Sequence, residues 1–353
     1  MATSGTYGGF TYAVNELIED ASLRAGIPAQ SLTADLLSRA LRALNLMFAM
    51  MPNLRIYTWT QQPILIPIYE GMTRVPAPDG TFNLLDRVMR TPTRLTTGTL
   101  TSSAGGDTTF SDDDDFNTVL TQVSPLGNLQ VVFTSATQVA EVGILWGSSG
   151  AKSFVIEYSE DDGATWLQVG PTYSVTSVDR QWTWVQPDGT FAQTYWRVRM
   201  TAGTLVAREV YFGSPLYQDI TLAKLTRNQY MTMPNKSTPG QPNQAWLDRQ
   251  IDRPYVVLWP PPNNASRYNH ILAIQQRKIA DVLTMRETLD VPPNWYEYVT
   301  AQLALRVCQT FPEAAKDRLP LVQAQVDQAF MPAQSEDRDG SDITVFPSIG
   351  AYT

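Results

Sequence analysis

The chain is 353 residues long, enough for two domains, with 43% hydrophobic and 17% charged residues and a formal net charge of -8. A single cysteine, Cys308, and a single histidine, His270, exclude a disulfide framework, a thiolate metal site within one chain and any triad that needs two histidines. No apolar run approaches the ~20 residues of a membrane-spanning helix, and the uncharged, Gly/Ser/Thr-rich start from Met1 to Phe10 does not read as a secretory signal. No membrane partner is expected, and synthesis in a reducing cytoplasm is. Nine Trp, fifteen Tyr and twelve Phe fit either of two readings. One is subunit interfaces, whose centres are aromatic and poor in charge; the other is a large β-domain with an aromatic core.

Tyr12–Ala25 carries Val14, Leu17, Ile18, Ala21 and Leu23 at mostly helical spacing and stops at Gly26 and Pro28. Ser31–Met51 has a broad apolar stripe from Leu32 to Met51, with Ser31 or Thr33 placed to cap it and Pro52 to end it. The two make a helical hairpin. The period then changes. Ile56–Trp59 and Ile64–Tyr69 read as strands, and Leu84–Leu95 is ambiguous.

From Thr96 the composition turns to Thr, Ser, Gly and Asp, a linker signature. At least seven short strands follow between Leu129 and Phe212, with turns at Asp161-Asp162-Gly163 and Asp188-Gly189, which predicts a β-sandwich or jelly roll. Between Leu100 and Pro215 stand 13 acidic and 5 basic residues, so this segment holds the whole net charge and the remainder is neutral. Phosphate binding needs positive charge, so nucleic acid is not the ligand expected there.

Gln244–Leu247, Tyr255–Trp259 and His270–Gln276 read as strands. A helix follows Pro292-Pro293, with Trp295, Val299, Leu303 and Val307 four residues apart, and a shorter one covers Leu319–Phe330. The expected fold class is α+β. A helical core with small β elements, formed from both chain ends, is interrupted by an all-β jelly-roll insert. The expected domains are 1–98, the insert 99–215, 216–331, and an extended tail 332–353.

The flanking halves resemble the head-to-tail adaptor (tail accessory or tail tubular adaptor) family of short-tailed bacteriophages. The resemblance is carried by Ala40-Leu-Arg-Ala-Leu-Asn-Leu-Met47, the start at Ile56-Tyr57, Leu225–Tyr230, and Pro234-Asn-Lys236 with Gly240-Gln-Pro242. Val256-Val-Leu-Trp-Pro-Pro-Pro262, Val291-Pro-Pro-Asn-Trp-Tyr-Glu-Tyr298 and Ala301-Gln-Leu-Ala-Leu-Arg306 complete it, over residues 10–95 and 216–331. It implies a virion protein: a dodecameric ring below the portal protein that helps seal the channel for genomic DNA and carries the tail nozzle and fibres. The insert resembles discoidin-like, galactose-binding-type jelly rolls through Phe154-Val-Ile-Glu-Tyr-Ser-Glu-Asp-Asp-Gly-Ala-Thr-Trp166 and Tyr195-Trp-Arg-Val-Arg199. A minimal adaptor lacks such an insert, so a carbohydrate-binding virion protein acting through it is the alternative function, and a cell-wall hydrolase is a further one, ranked below it.

No enzyme, metal or cofactor is expected. Asp112–Asp115 favours cations by charge, but four successive carboxylates in a loop do not shape a cage, and a solvated acidic loop is the preferred reading. Trp146, Trp166, Trp182, Trp184 and Trp196 read as sandwich core before sugar platform. Asp161-Asp162 supplies the carboxylate pair that glycosidic hydrolysis uses, but inside a turn signal, and no Gly-rich loop with a lysine is present. His270 reads as a satisfied structural histidine. In the tail, Ile343, Val345, Phe346, Ile349 and Tyr352 are the candidate portal-docking residues, by addition of a strand.

Overall fold

A computed structural model describes residues 10–54, 58–95, 98–187, 189, 191–251, 253–312 and 317–336. The tail candidates Ile343, Val345, Phe346, Ile349 and Tyr352 lie outside the described residues. From the N-terminus come helices α1 (Val14–Arg24) and α2 (Ala34–Met50), then strands β1 (Gln61–Pro67), β2 (Arg74–Pro76), β3 (Thr81–Arg94) and β4 (Gly98–Ser102). Next are β5 (Leu120–Thr121), β6 (Asn128–Gln138), β7 (Glu141–Trp146), β8 (Gly150–Ser159), β9 (Leu167–Ser177) and β10 (Trp182–Val185). They are followed by β11 (Ala192–Ala202), β12 (Val206–Thr221), β13 (Ala223–Lys224), α3 (Arg227–Thr232), β14 (Gln244–Asp248), β15 (Tyr255–Trp259) and β16 (His270–Arg277). Helices α4 (Tyr296–Thr310) and α5 (Leu319–Glu336) close the described chain.

Two compact units form. One comprises Met1–Gln62, Gly80–Asn83 and Gln275–Thr353; the other comprises Pro63–Asp79 and Leu84–Ile274.

The first unit is helical. In α1 the residues Val14, Leu17, Ile18 and Ala21, spaced three and four apart, are buried, whereas Leu23 falls off that stripe and is exposed. Gly26, at φ 86°, takes the left-handed conformation that ends the helix. The cap of α2 is Thr33, whose side chain accepts from the Leu36 N–H at 3.3 Å. Leu36, Ala40, Leu44, Met47 and Phe48 then face the core. Helix α4 is the centre of the unit, with Val299, Leu303 and Val307 sealed from solvent. A bidentate pair from Arg24 to Glu297, at 2.6 and 2.8 Å, ties α1 to α4.

The second unit is all-β apart from α3 and short turns, and it corrects the expected fold class. Among the described residues strands make up 40% and helices 27%, so the flanking halves are not a helical core with small β elements. The reason lies in long-range pairing. A seven-stranded sheet runs β1-β16-β3-β12-β7-β10, with β5 also on β12, and so joins strands from the flanks to strands of the expected insert. The 16-residue strand β12 passes straight through Pro215. Its first half pairs with β7 and its second half with β3. The ambiguous Leu84–Leu95 segment is the body of β3; its arginines obscured the strand pattern because Arg87 and Arg90 are buried rather than exposed.

A five-stranded sheet, β4-β6-β11-β8-β9, packs on the β12-β7-β10 end of the large sheet. Leu129, Val131 and Phe133 of β6, Phe154, Ile156 and Tyr158 of β8, and Trp196, Val198 and Met200 of β11 meet Val142, Ile144 and Trp146 of β7 and Val210 and Phe212 of β12. This is a jelly-roll-type β-sandwich, each inner face made by alternate residues of its strands. A third sheet, β13-β14-β15-β2, has its own core around Val75, Ala245, Val256 and Leu258. Thr58 and Trp59, expected inside the strand Ile56–Trp59, belong to a single 3-10 turn over Thr58–Thr60. No helix among the described residues is long and apolar enough to cross a membrane.

Candidate functional site

Three places in the β unit concentrate polar chemistry. The first is an ionic layer on the large sheet. Arg90 of β3 lies 2.9 Å from Glu141 of β7 and 2.8 Å from Asp219 of β12. Glu141 also accepts from Gln186 at 2.7 Å and faces His270 Nε2 at 3.3 Å. Burial pushes the Glu141 carboxyl up, but His270, Arg90 and Gln186 together outweigh it and hold it down at about 2. Arg94 gathers Asp112, Asp114 and the fully buried Glu209. Burial dominates at Glu209 and raises it to about 7 despite Arg94. These groups bind one another, and most are sealed from solvent, so the layer is structural.

The expectations placed on this layer change. The acidic run Asp112–Asp115 is exposed, as expected of a solvated loop, but its carboxylates are tied into the chain. Asp112 and Asp114 clamp Arg94, Asp113 accepts from the Thr118 hydroxyl at 2.8 Å, and Asp115 accepts from Asn117. Among the described residues no group of three or more His, Cys, Asp or Glu side chains is arranged to hold a metal ion. His270 is fully buried with its ring 4.8 Å from that of Trp184 and its Nε2 3.3 Å from Glu141, but neither ring nitrogen makes an aligned hydrogen bond.

The second place is a groove of about 610 Å³ lined by Leu65, Tyr69, Met72, Pro76, Ser174 and Gln181, with Asp79 and Arg253 also on its wall. By size it is the natural ligand pocket. Its polar atoms are largely committed inside the chain, however. The Tyr69 hydroxyl accepts from the Trp182 N–H at 3.0 Å, Thr183 from Trp146 Nε1 at 2.8 Å, Ser174 pairs with Ser153, and Arg253 donates to the Ala77 carbonyl. Little is left to recognise a ligand.

The third place is the outer face of the five-stranded sheet. Trp196, Val198 and Met200 of β11 point into the core, so Tyr195, Arg197 and Arg199 point outward in a row. Arg197 stands opposite Glu157 of β8 on one side and Gln130 of β6 on the other, and Arg199 stands opposite Asn128. Glu157, 4% exposed, anchors both cations: Arg197 Nε donates at 2.6 Å, Arg199 Nε at 3.0 Å and Arg199 Nη2 at 2.7 Å. Burial pushes Glu157 up, but the two guanidinium groups hold it below the usual carboxylate range. The Arg197 guanidinium lies 4.0 Å over the Trp166 ring, and Trp166 is itself pinned by its Nε1–H donating to the Gly163 carbonyl at 3.0 Å.

What remains free here distinguishes this face from the groove. Among the described residues, Arg197 Nη1 and Nη2, Arg199 Nη1 and the side-chain amides of Asn128 and Gln130 make no hydrogen bond, and none is a buried unpaired atom. Unpaired donors therefore reach solvent on a rigid, flat surface beside two aromatic rings. Such an arrangement of free donors beside aromatic rings can bind a polar ligand.

Sequence reasoning placed the Tyr195–Arg199 strand correctly but gave Arg197 and Arg199 no role, and it read Trp166 as sandwich core, whereas Trp166 precedes β9 and is only partly buried. The pattern Tyr-x-Arg-x-Arg on a strand, with apolar residues between, was the available signal. Four of the five tryptophans grouped as core or platform are buried: Trp146, Trp182, Trp184 and Trp196. Asp161 is consumed by its own turn, accepting from Thr165 and Ser159, bonds that hold it down at about 2; it is no proton donor for hydrolysis at neutral pH. Asp162 sits in the same turn at φ 54°. Cys308 is buried in the helical unit, and burial raises its thiol pKa.

The fold and this surface define a protein with a helical unit and a β unit that presents a polar, aromatic-edged sheet face. No family model matches the sequence, and no curated protein matches it. Solved structures similar to part of the chain include a pectin-binding carbohydrate-binding module, at 18% identity over 36% of this chain and 94% of that one, with a TM-score of 0.29. A chitosan-binding module from a chitosanase/glucanase of Paenibacillus sp. IK-5 matches at 23% identity over 33% and 93%, TM-score 0.27. The CBM32 module of AlyQ, solved with 4,5-unsaturated mannuronic acid, matches at 20% identity over 34% and 97%, TM-score 0.29.

Proposed function

We propose that the β unit is a non-enzymatic saccharide-binding module that works through the outer face of its five-stranded sheet. The observation that carries this reading is the row Tyr195, Arg197, Arg199 beside Trp166, Asn128 and Gln130, with its donors unclaimed by the protein. Sugars offer an apolar C–H face, which an aromatic ring covers, and a rim of hydroxyls, which guanidinium and amide groups bind in pairs. A sheet supplies such groups in fixed registry, so little side-chain entropy is lost on binding. A glycan array with the full chain tests the reading, followed by calorimetry on the best ligand with Trp166→Ala and Arg197→Ala. Loss of about tenfold or more in affinity in each, roughly 1.4 kcal/mol, at unchanged fold is expected. Full-strength binding in both variants, or no bound glycan at all, refutes it.

A second reading is favoured by the apolar surface of the helical unit, where Leu46 is 55%, Met50 58%, Met331 65% and Leu283 79% exposed. Leu46 and Leu283 line one cavity together, and contiguous exposed apolar groups mark contact surfaces. In that reading the helical unit assembles copies into a ring in a virion, on the portal protein and carrying tail nozzle and fibres, with genomic DNA passing through. The β unit then acts as its binding module. Sedimentation of the full chain with and without portal tests it; an unchanging monomer under both conditions counts against it.

A further inference from the structure

We infer that the ligand of this sheet face is an acidic saccharide whose carboxylate is taken by Arg197; the inference rests on the saccharide-binding reading above. Glu157 is one charge against two arginines, so the patch has a local excess of one positive charge inside a segment whose net charge is negative. That excess is not spare surface charge. Arg197 is only 16% exposed along its side chain, fixed from behind by Glu157 and from one face by Trp166. With Nε engaged, its remaining donors are Nη1 and Nη2, a planar pair that forms two parallel hydrogen bonds to one carboxylate. The distributed negative charge of the segment repels an anion over distance, but at physiological salt that field decays within ~8 Å. Contact with a pre-positioned fork decides the outcome.

The geometry also selects within anions. The Arg197 guanidinium carbon lies 4.0 Å from the centre of the Trp166 ring. Its planar pair of free donors matches the two coplanar oxygens of a carboxylate. A sulfate or phosphate carries further oxygens out of that plane, with no donor of the fork to meet them. Arg199 Nη1 and the amides of Gln130 and Asn128, across the strand, are left for hydroxyls. The structure thus assigns Arg197 to the carboxylate, Trp166 to holding Arg197 in place, and the amides to neutral oxygens.

The test is a binding titration of the full chain with four polymers: a polyuronate, the same polymer with its carboxyl groups reduced to alcohols, a neutral dextran and a dextran sulfate. At least tenfold tighter binding to the polyuronate than to its reduced form is expected. Arg197→Lys keeps the charge but loses the planar fork, and should erase that preference while the melting temperature stays unchanged. Trp166→Ala should weaken it in the same direction. Equal binding of native and reduced polymer overturns the inference and leaves the saccharide reading standing. Equal or tighter binding of dextran sulfate overturns it in favour of general anion attraction. Binding to none of these polymers and to no array glycan removes the reading itself.

Discussion

Arg90 and Glu141 meet at 2.9 Å, 7% and 1% exposed along their side chains, and join β3 from one end of the sequence to β7 of the sandwich. Each has other partners: Arg90 also holds Asp219 at 2.8 Å and lies 3.6 Å from the ring of Tyr217, and Glu141 also accepts from Gln186. An ion pair this buried is poor evidence of net stability, since a hydrophobic pair of equal volume can match it, but removing one partner strands the other charge. Arg90→Met is therefore expected to destabilise the β unit by ~3–5 kcal/mol. Arg90→Met with Glu141→Gln should recover part of that loss. Denaturant unfolding measures both, and a single-variant cost below ~1 kcal/mol contradicts the assignment.

Glu209 sets a pH dependence. Burial raises its pKa from 4.5 to about 7, with Arg94 only partly offsetting. The fold favours its protonated form, so its contribution to stability is fully present below pH 4.5 and is lost as pH rises to 7. The total is at most ~3 kcal/mol. Glu141 runs the other way: held at about 2, it stabilises above 4.5 and the contribution is lost as pH falls toward 2. Glu209→Gln should flatten the stability profile between pH 4.5 and 7 while leaving the acid limb intact. Thermal melts across that range decide it, and an unchanged slope speaks against a buried, titrating Glu209.

Gly143 lies in the middle of β7, where a strand normally excludes glycine. A Cβ there would come within 2.6 Å of the Trp184 ring, which is itself packed against Trp182 at 5.0 Å and His270 at 4.8 Å. Gly143→Ala gains β propensity but overpacks this stack, and a net loss of ~1–3 kcal/mol is expected. Tryptophan fluorescence should shift with it. A stabilised variant would mean the stack yields at little cost.

Thr33 is the sole side-chain cap of α2. Thr33→Ala removes an acceptor from the exposed first turn and should cost ~1 kcal/mol in the helical unit, read from the melt of the helical circular-dichroism signal. No effect would place the stability of α2 wholly in its buried stripe.

Local pattern was enough for much of the backbone. The stripes of α1 and α2, the i+4 stack of Val299, Leu303 and Val307, and the alternation of Phe154, Ile156 and Tyr158 each imply their element because one face must be buried. The charge split between segments and the row Tyr195, Arg197, Arg199 were also in plain view. What the chain order hides is which faces meet. Nothing local shows that β12 runs on from the sandwich into a strand pairing with β3, or that Arg87, Arg90, Arg94, Glu141 and Glu209 are core residues rather than surface ones. Charges are buried only where partners distant in sequence converge to satisfy them, and pairing of strands ~130 to ~180 residues apart is a property of the folded sheets. The same holds for the candidate site. Trp166, Glu157 and Arg197 are ordinary residues in sequence; their stacking and shared hydrogen bonds, and therefore the donors left over for a ligand, exist only once β8 and β11 lie side by side.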